Sequence, residues 1–199
     1  MALFVLGDTH LSLGASKPMD IFPGWNDYVE RLEKNWRKLI KPEDTIVLAG
    51  DISWAMQLEE ALDDLRAIAA LPGRKLLLRG NHDYWWSSLS KLRAALPQGM
   101  FVLQNDALLL DGHVYCGTRG WMFPTVQQPL GEQDEKVFRR ELMRLRMSLD
   151  QAARLPGEDV TVLMHYPPLF ADGVGTAFTD ILEEYAVTRV AVSYTHLTL

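Results

Sequence analysis

The 199 residues include a single cysteine, Cys116, so no disulfide can form within the chain. A reducing compartment is the simple expectation. Long apolar runs are missing too, and no stretch approaches the roughly 18 apolar residues of a membrane span. The N-terminus carries no basic segment followed by a cleavable apolar one, so a cytoplasmic location is expected. Positive charge is not in excess: 20 Lys and Arg stand against 26 Asp and Glu, a net charge of −6. That balance argues against broad nucleic-acid binding, and no stripe of basic and aromatic residues offers a track for a single strand. Repeats, low-complexity tracts and interdomain linkers are also lacking, and the chain reads as one domain spanning 1–199.

What is present is an α/β pattern. The apolar run Ala2 to Leu6 reads as a buried strand and stops at Gly7-Asp8-Thr9-His10. In extended backbone, positions i and i+2 share a side, so Asp8 and His10 can address one ion. Val29, Leu32, Trp36 and Leu39 repeat at helical spacing over Tyr28 to Ile40. A second strand, Thr45 to Ala49, stops at Gly50-Asp51. Leu58, Leu62, Leu65 and Ala69 mark another helix, closed by Pro72-Gly73. The third strand, Lys75 to Leu78, leads into Gly80-Asn81-His82-Asp83, and a helix is expected over Trp85 to Leu96. Strand, helix, strand, helix, strand implies a parallel sheet with right-handed crossovers. Each strand ends in polar residues, and the C-terminal ends of parallel strands are where α/β proteins bind ligands.

The next segment changes character. Phe101 to Leu103, Ala107 to Leu110 and His113 to Cys116 are short strands divided by Asn105-Asp106 and Asp111-Gly112, an antiparallel segment of a mixed or second sheet. Arg119 reads as a structural arginine and His113 as a surface residue. Glu132 to Arg154 is a long amphipathic helix with Phe138, Leu142, Leu145 and Leu149 as its stripe; its arginines read as a solvated face. The strand Val160 to Met164 ends at His165. A helix over Thr176 to Tyr185 and a strand over Arg189 to Val192 follow.

Two aspartates, an asparagine and several histidines on strand-end loops suit two divalent cations about 4 Å apart, with a carboxylate shared between them. Asp51, the middle carboxylate, is the natural bridge. Asp8 and His10 complete one ion, Asn81 and His165 the other. Mixed nitrogen and oxygen donors favour Mn, Fe or Zn over Mg or Ca. The two carboxylates leave such a site positive and attractive to phosphate oxygens.

The ordered series Asp8/His10, Gly50-Asp51, Gly80-Asn81-His82-Asp83 and His165 resembles the calcineurin-like metallophosphoesterases, whose motifs it matches through the first four. The resemblance implies a four-layer α/β/β/α sandwich with two mixed sheets, a dinuclear metal centre, and hydrolysis of a phosphate ester, as phosphatase or phosphodiesterase, by a hydroxide bridging the metals. It implies that His82 is the proton donor at the leaving oxygen, with Asp83 polarising it, and that the substrate is a small molecule or a phosphorylated partner. The loops Ser12 to Gly24 and Gly117 to Gly131 would set specificity, with Trp25, Trp121 and Phe123 favouring a partly apolar leaving group. The fifth family motif, Gly-His-x-His, departs here to Thr195-His196-Leu197-Thr198. His196 matches the first histidine, a ligand of the Asn81/His165 metal, while Thr198 stands where the second ligand belongs. The expectation is a domain that lacks its last C-terminal strands or carries an altered tail. An alternative of another class is a catalytically impaired relative that serves as a protein-binding scaffold. The altered fifth motif favours that alternative; the intact Asp51, Asn81, His82 and Asp83 count against it.

Overall fold

The computed structural model describes residues 1–125, 129–157, 159–170 and 172–193. They fall into two compact units, one running from Met1 to Val102 and the other starting at Leu103.

The first unit is built on β1 (Leu3–Leu6), β2 (Thr45–Leu48), β3 (Arg74–Leu78) and β4 (Met100–Leu103), hydrogen-bonded in that order. Between them run α1 (Tyr28–Leu39), α2 (Leu58–Ala69) and α3 (Leu89–Ala95). The pairs β1–β2 and β2–β3 are parallel. β2 is buried along its whole length, as is β3 after Arg74, which explains their unbroken apolar sequences. Leu6 pairs with Leu48 and Leu48 with Leu77, so the three strands end nearly level. Their polar continuations therefore emerge along one edge of the sheet.

The helices cover this sheet through Trp36, Leu58, Leu65, Ile68 and Leu92, which join Ile46, Leu48 and Leu77 in one apolar cluster. Trp36 satisfies its indole by donating Nε1–H to the Pro72 carbonyl at 2.9 Å. α2 starts with a capping box in which the Gln57 and Glu60 side chains each accept a backbone N–H of the other residue's turn.

The second unit holds β5 (Ala107–Leu110), β6 (His113–Thr118), β7 (Asp159–Met164) and β8 (Val190–Val192), again in sequential order, with α4 (Glu132–Ala152) and α5 (Ala177–Glu184). β5 and β6 are antiparallel, while β6–β7 and β7–β8 are parallel, which makes this sheet mixed. Asp111 and Gly112, with φ of 51° and 83°, turn the β5–β6 hairpin in the left-handed conformations such tight turns need. Phe138, Leu145 and Leu149 of α4 are buried as the stripe predicts, and Glu135 pairs with Arg139 at 2.8 Å on the outer face.

Two boundaries differ from expectation. The strand Met100–Leu103 belongs to the first sheet, so Asn105-Asp106 carries the chain from one sheet to the other and forms no hairpin. The helix expected from Trp85 begins only at Leu89, after the N-cap Ser88. Trp85 and Trp86 are buried instead, and the Trp85 indole is committed to a buried carboxylate, which holds the backbone off the helical path.

Candidate metal centre

The level strand ends continue as paired loops. The Asp8 N–H donates to the Gly50 carbonyl at 3.0 Å, His10 to Asp51 at 3.0 Å and Leu11 to Ile52 at 2.9 Å. This ladder carries two candidate ligand segments side by side, though not in the extended backbone expected for Asp8 and His10. Along it Asp8, His10 and Asp51 adopt φ of 53°, 44° and 51°, in the left-handed region. For residues other than glycine that conformation costs about 1–2 kcal/mol each, and such outliers gather at functional sites.

The result is a convergence of donor atoms. His10 Nε2 lies 3.8 Å from Asp8 Oδ1 and 3.8 Å from Asp51 Oδ2. Of the three side chains Asp51 is nearly buried, at 4% exposure, while Asp8 retains 33% and faces solvent. The other oxygen of Asp51, Oδ1, accepts the main-chain N–H of His82 at 2.8 Å. One carboxylate thus ties down the β3 loop with one oxygen and turns the other to His10. The approach is close enough to require glycine before Asn81: a Cβ on Gly80 would stand 2.1 Å from Asp51 Oδ1 and 2.2 Å from Asp51 N.

Asp83 corrects the expectation that it polarises His82. It is fully buried, and its carboxylate is spent on N–H donors: Oδ2 accepts from Asp51 at 2.9 Å and Gly80 at 2.7 Å, and Oδ1 from Ile52 at 2.8 Å, Ser53 at 3.3 Å and the Trp85 indole at 2.9 Å. A carboxylate cut off from water must find such donors, and the turns after β2 and β3 offer theirs inward. Burial nonetheless raises the Asp83 pKa above the ordinary carboxylate value, against the opposing pull of these bonds and with a further push from Asp51. Asp83 is the clamp between the two loops.

Asn81 and His82 are half-buried beside Asp51, and the His82 ring lies 5.9 Å from that of His10 between ring centres. His165 is placed in the second unit, where β7 ends as expected. It is fully buried, and its N–H donates to the Arg119 carbonyl at 3.1 Å. The Arg119 guanidinium sits 3.7 Å from Glu141 and 4.5 Å over the Trp121 ring, in keeping with a structural arginine. His196 and Thr198 lie outside the described residues.

Three participants escaped the sequence reading. Trp54 stacks on His10 at 4.5 Å with an interplanar angle of 18°. Tyr28 donates its hydroxyl to the His10 carbonyl at 3.0 Å. Asp64, buried in α2, accepts the Leu13 N–H at 2.7 Å and the Ser53 hydroxyl, which braces the turn after Asp51. Burial raises the Asp64 pKa. A carboxylate on the apolar side of an amphipathic helix, next to Leu65, was the available signal for Asp64. Nothing in the sequence marks out Trp54, and Tyr28 stands there only as the first residue of a helix.

Carboxylate, imidazole and amide donors at the ends of parallel strands fit a divalent transition metal. Among the described residues, no helix is long and apolar enough to cross a membrane.

Comparison with known proteins agrees. No curated protein matches this chain. Solved structures do: a phosphopantetheinyl hydrolase, PptH, from Mycobacterium tuberculosis is 14% identical, with 98% of this chain and 83% of that one covered at a TM-score of 0.55. The protein of unknown function AQ665 from Aquifex aeolicus is 17% identical, covering 97% and 90%, at a TM-score of 0.45. At that identity the PptH likeness speaks for the fold. The model of the calcineurin-like phosphoesterases matches residues 1–194, which takes in both units. With its strand-end motifs in place, the chain belongs to the calcineurin-like phosphoesterase family, and metal-dependent phosphoester hydrolysis is the chemistry that goes with membership.

Proposed function

We propose that this chain is a phosphatase or phosphodiesterase that works with two divalent cations, Mn, Fe or Zn. Asp8, His10 and Asp51 would hold one ion. The family resemblance, on sequence alone, assigns the other to Asp51, Asn81, His165 and His196. When bound, such cations polarise a phosphoryl oxygen and lower the pKa of an adjacent water. The observation that carries the reading is the convergence of His10 Nε2 on an oxygen of Asp8 and an oxygen of Asp51, both at 3.8 Å.

The protein's own groups do the rest. Asp51 keeps Oδ2 toward His10 because its Oδ1 is occupied by the His82 N–H. That same bond fixes the His82 backbone, and so the place from which its imidazole hands a proton to the leaving oxygen. Proton transfer of this kind contributes about 10²–10⁴ in rate. Asp83 holds both loops from below without touching substrate. The cytoplasm is the proposed location, and a small molecule or a phosphorylated partner the proposed substrate.

The test is Mn²⁺-dependent hydrolysis of an aryl phosphomonoester and an aryl phosphodiester by the purified 199-residue chain. Turnover of either that disappears with a chelator and returns with Mn²⁺ is the expected result, and the preferred ester assigns the class. Tight Mn²⁺ binding with no turnover of either ester would favour the scaffold alternative.

A further inference from the structure

His10 and His82 come from different strand-end loops, yet both rings meet the same side chain. Trp54 stacks on His10 with ring centres 4.5 Å apart and planes 18° from parallel. Its ring also lies 5.1 Å from that of His82, tilted by 57°. Trp54 is only half-buried, so filling the core does not account for it.

The indole is itself held. Its Nε1–H donates to Met19 Sδ at 3.1 Å, and its main-chain N–H donates to the Leu11 carbonyl at 2.8 Å. Leu11 follows His10 directly, and Trp54 lies three residues after Asp51. The bond therefore locks the loop that carries His10 to the loop that carries Asp51. An imidazole attached through one broad terminal torsion has no plane of its own, and a fixed aromatic face beside it supplies one.

We propose that Trp54 is a positioning residue for both imidazoles, holding His10 in the plane that aims Nε2 between Asp8 and Asp51 and walling His82 on one flank. The proposal deepens the metal-centre reading and rests on it. Groups that orient metal-binding histidines are worth about 10- to 100-fold in affinity. A leucine at position 54 fills space but offers no planar face. A phenylalanine keeps a smaller planar face and loses the bond to Met19.

The experiment is Mn²⁺ titration calorimetry on the wild-type chain, Trp54→Leu and Trp54→Phe, with the His10 ring-proton shift read by NMR in the metal-free proteins. The expected result is about tenfold weaker binding in Trp54→Leu with loss of the ring-current shift at His10. Trp54→Phe should stay within about threefold of wild type and keep that shift, a rescue that simple core filling would not give. Should Trp54→Leu fail to fold, the His10 ring-current shift in wild type and Trp54→Phe carries the test, and its absence from both overturns the proposal. Wild-type affinity in the leucine variant, or an equal loss in both ring variants, overturns the proposal. A wild-type chain that binds no Mn²⁺ brings down the metal-centre reading itself. That outcome is distinct, because the ring-current shift still reports whether Trp54 orients His10.

Discussion

His82 and Asp51 are joined through the histidine's main chain: the His82 N–H donates to Asp51 Oδ1 at 2.8 Å, a bond that makes no use of the imidazole. Backbone and side chain of His82 thus have separate tasks, and mutation can tell them apart.

His82→Ala keeps the N–H and removes the ring. We expect turnover of the preferred aryl ester to fall by about 10²-fold or more while bound metal per chain, counted by atomic absorption, stays at the wild-type value. Loss of metal in this variant would show that the ring is a ligand.

Asp83→Asn keeps the shape and replaces one acceptor oxygen by a donor that faces N–H groups already pointing inward. Leaving buried donors unsatisfied costs about 1–3 kcal/mol apiece. The metal-free variant should unfold at a clearly lower urea concentration than wild type. An unchanged midpoint would mean that the five contacts to this carboxylate carry no net stability.

The Asp64 pKa is raised in the fold by burial. The folded state therefore holds the proton more tightly than the unfolded chain, whose aspartates titrate near 3.9. Asp64's favourable contribution is complete below that value and is lost as pH rises through the higher folded value. Asn at this site can still accept from Leu13 and donate to Ser53, without the charge. Asp64→Asn should gain on wild type as pH is taken from about 4 to 7, read as diverging urea midpoints. A gap that stays constant over that range contradicts the assignment.

Cys116 is buried in β6, and burial pushes its thiol up to about 12. At pH 8 roughly one molecule in 10⁴ would carry the thiolate, against about a quarter for a free cysteine of pKa 8.5. A thiol-reactive dye should label the native protein hardly at all and label one cysteine per chain after unfolding in urea. Rapid labelling of the native protein would contradict the burial of β6.

The alternation of strand and helix in the first unit was legible because each apolar run stops at a Gly or a polar residue. The positions of Asp8, His10, Asp51, Asn81 and His82 at strand ends follow directly from that pattern. The role of Asp83 was not legible, since three of its five partners, Asp51, Ile52 and Ser53, lie some thirty residues back, and only the close of the β2 and β3 turns reveals them. The sheet that takes Met100–Leu103 was hidden as well, because a short apolar strand carries no mark of its neighbour. Trp54 was invisible for a different reason. An aromatic residue in a loop looks the same in sequence whether it covers a core or braces a ring.

The left-handed backbone at Asp8, His10 and Asp51 bears on how this site can be dismantled. An alanine at any of the three deletes the donor and also strains a main chain that asparagine tolerates more readily. Alanine scanning would report the sum of two injuries under one label. Asparagine is the cleaner knife: it leaves the turn nearly intact and takes away only the charge at Asp8 and Asp51. The same filter acts on natural drift, where Gly, Asn and Asp are the low-strain neighbours of these positions.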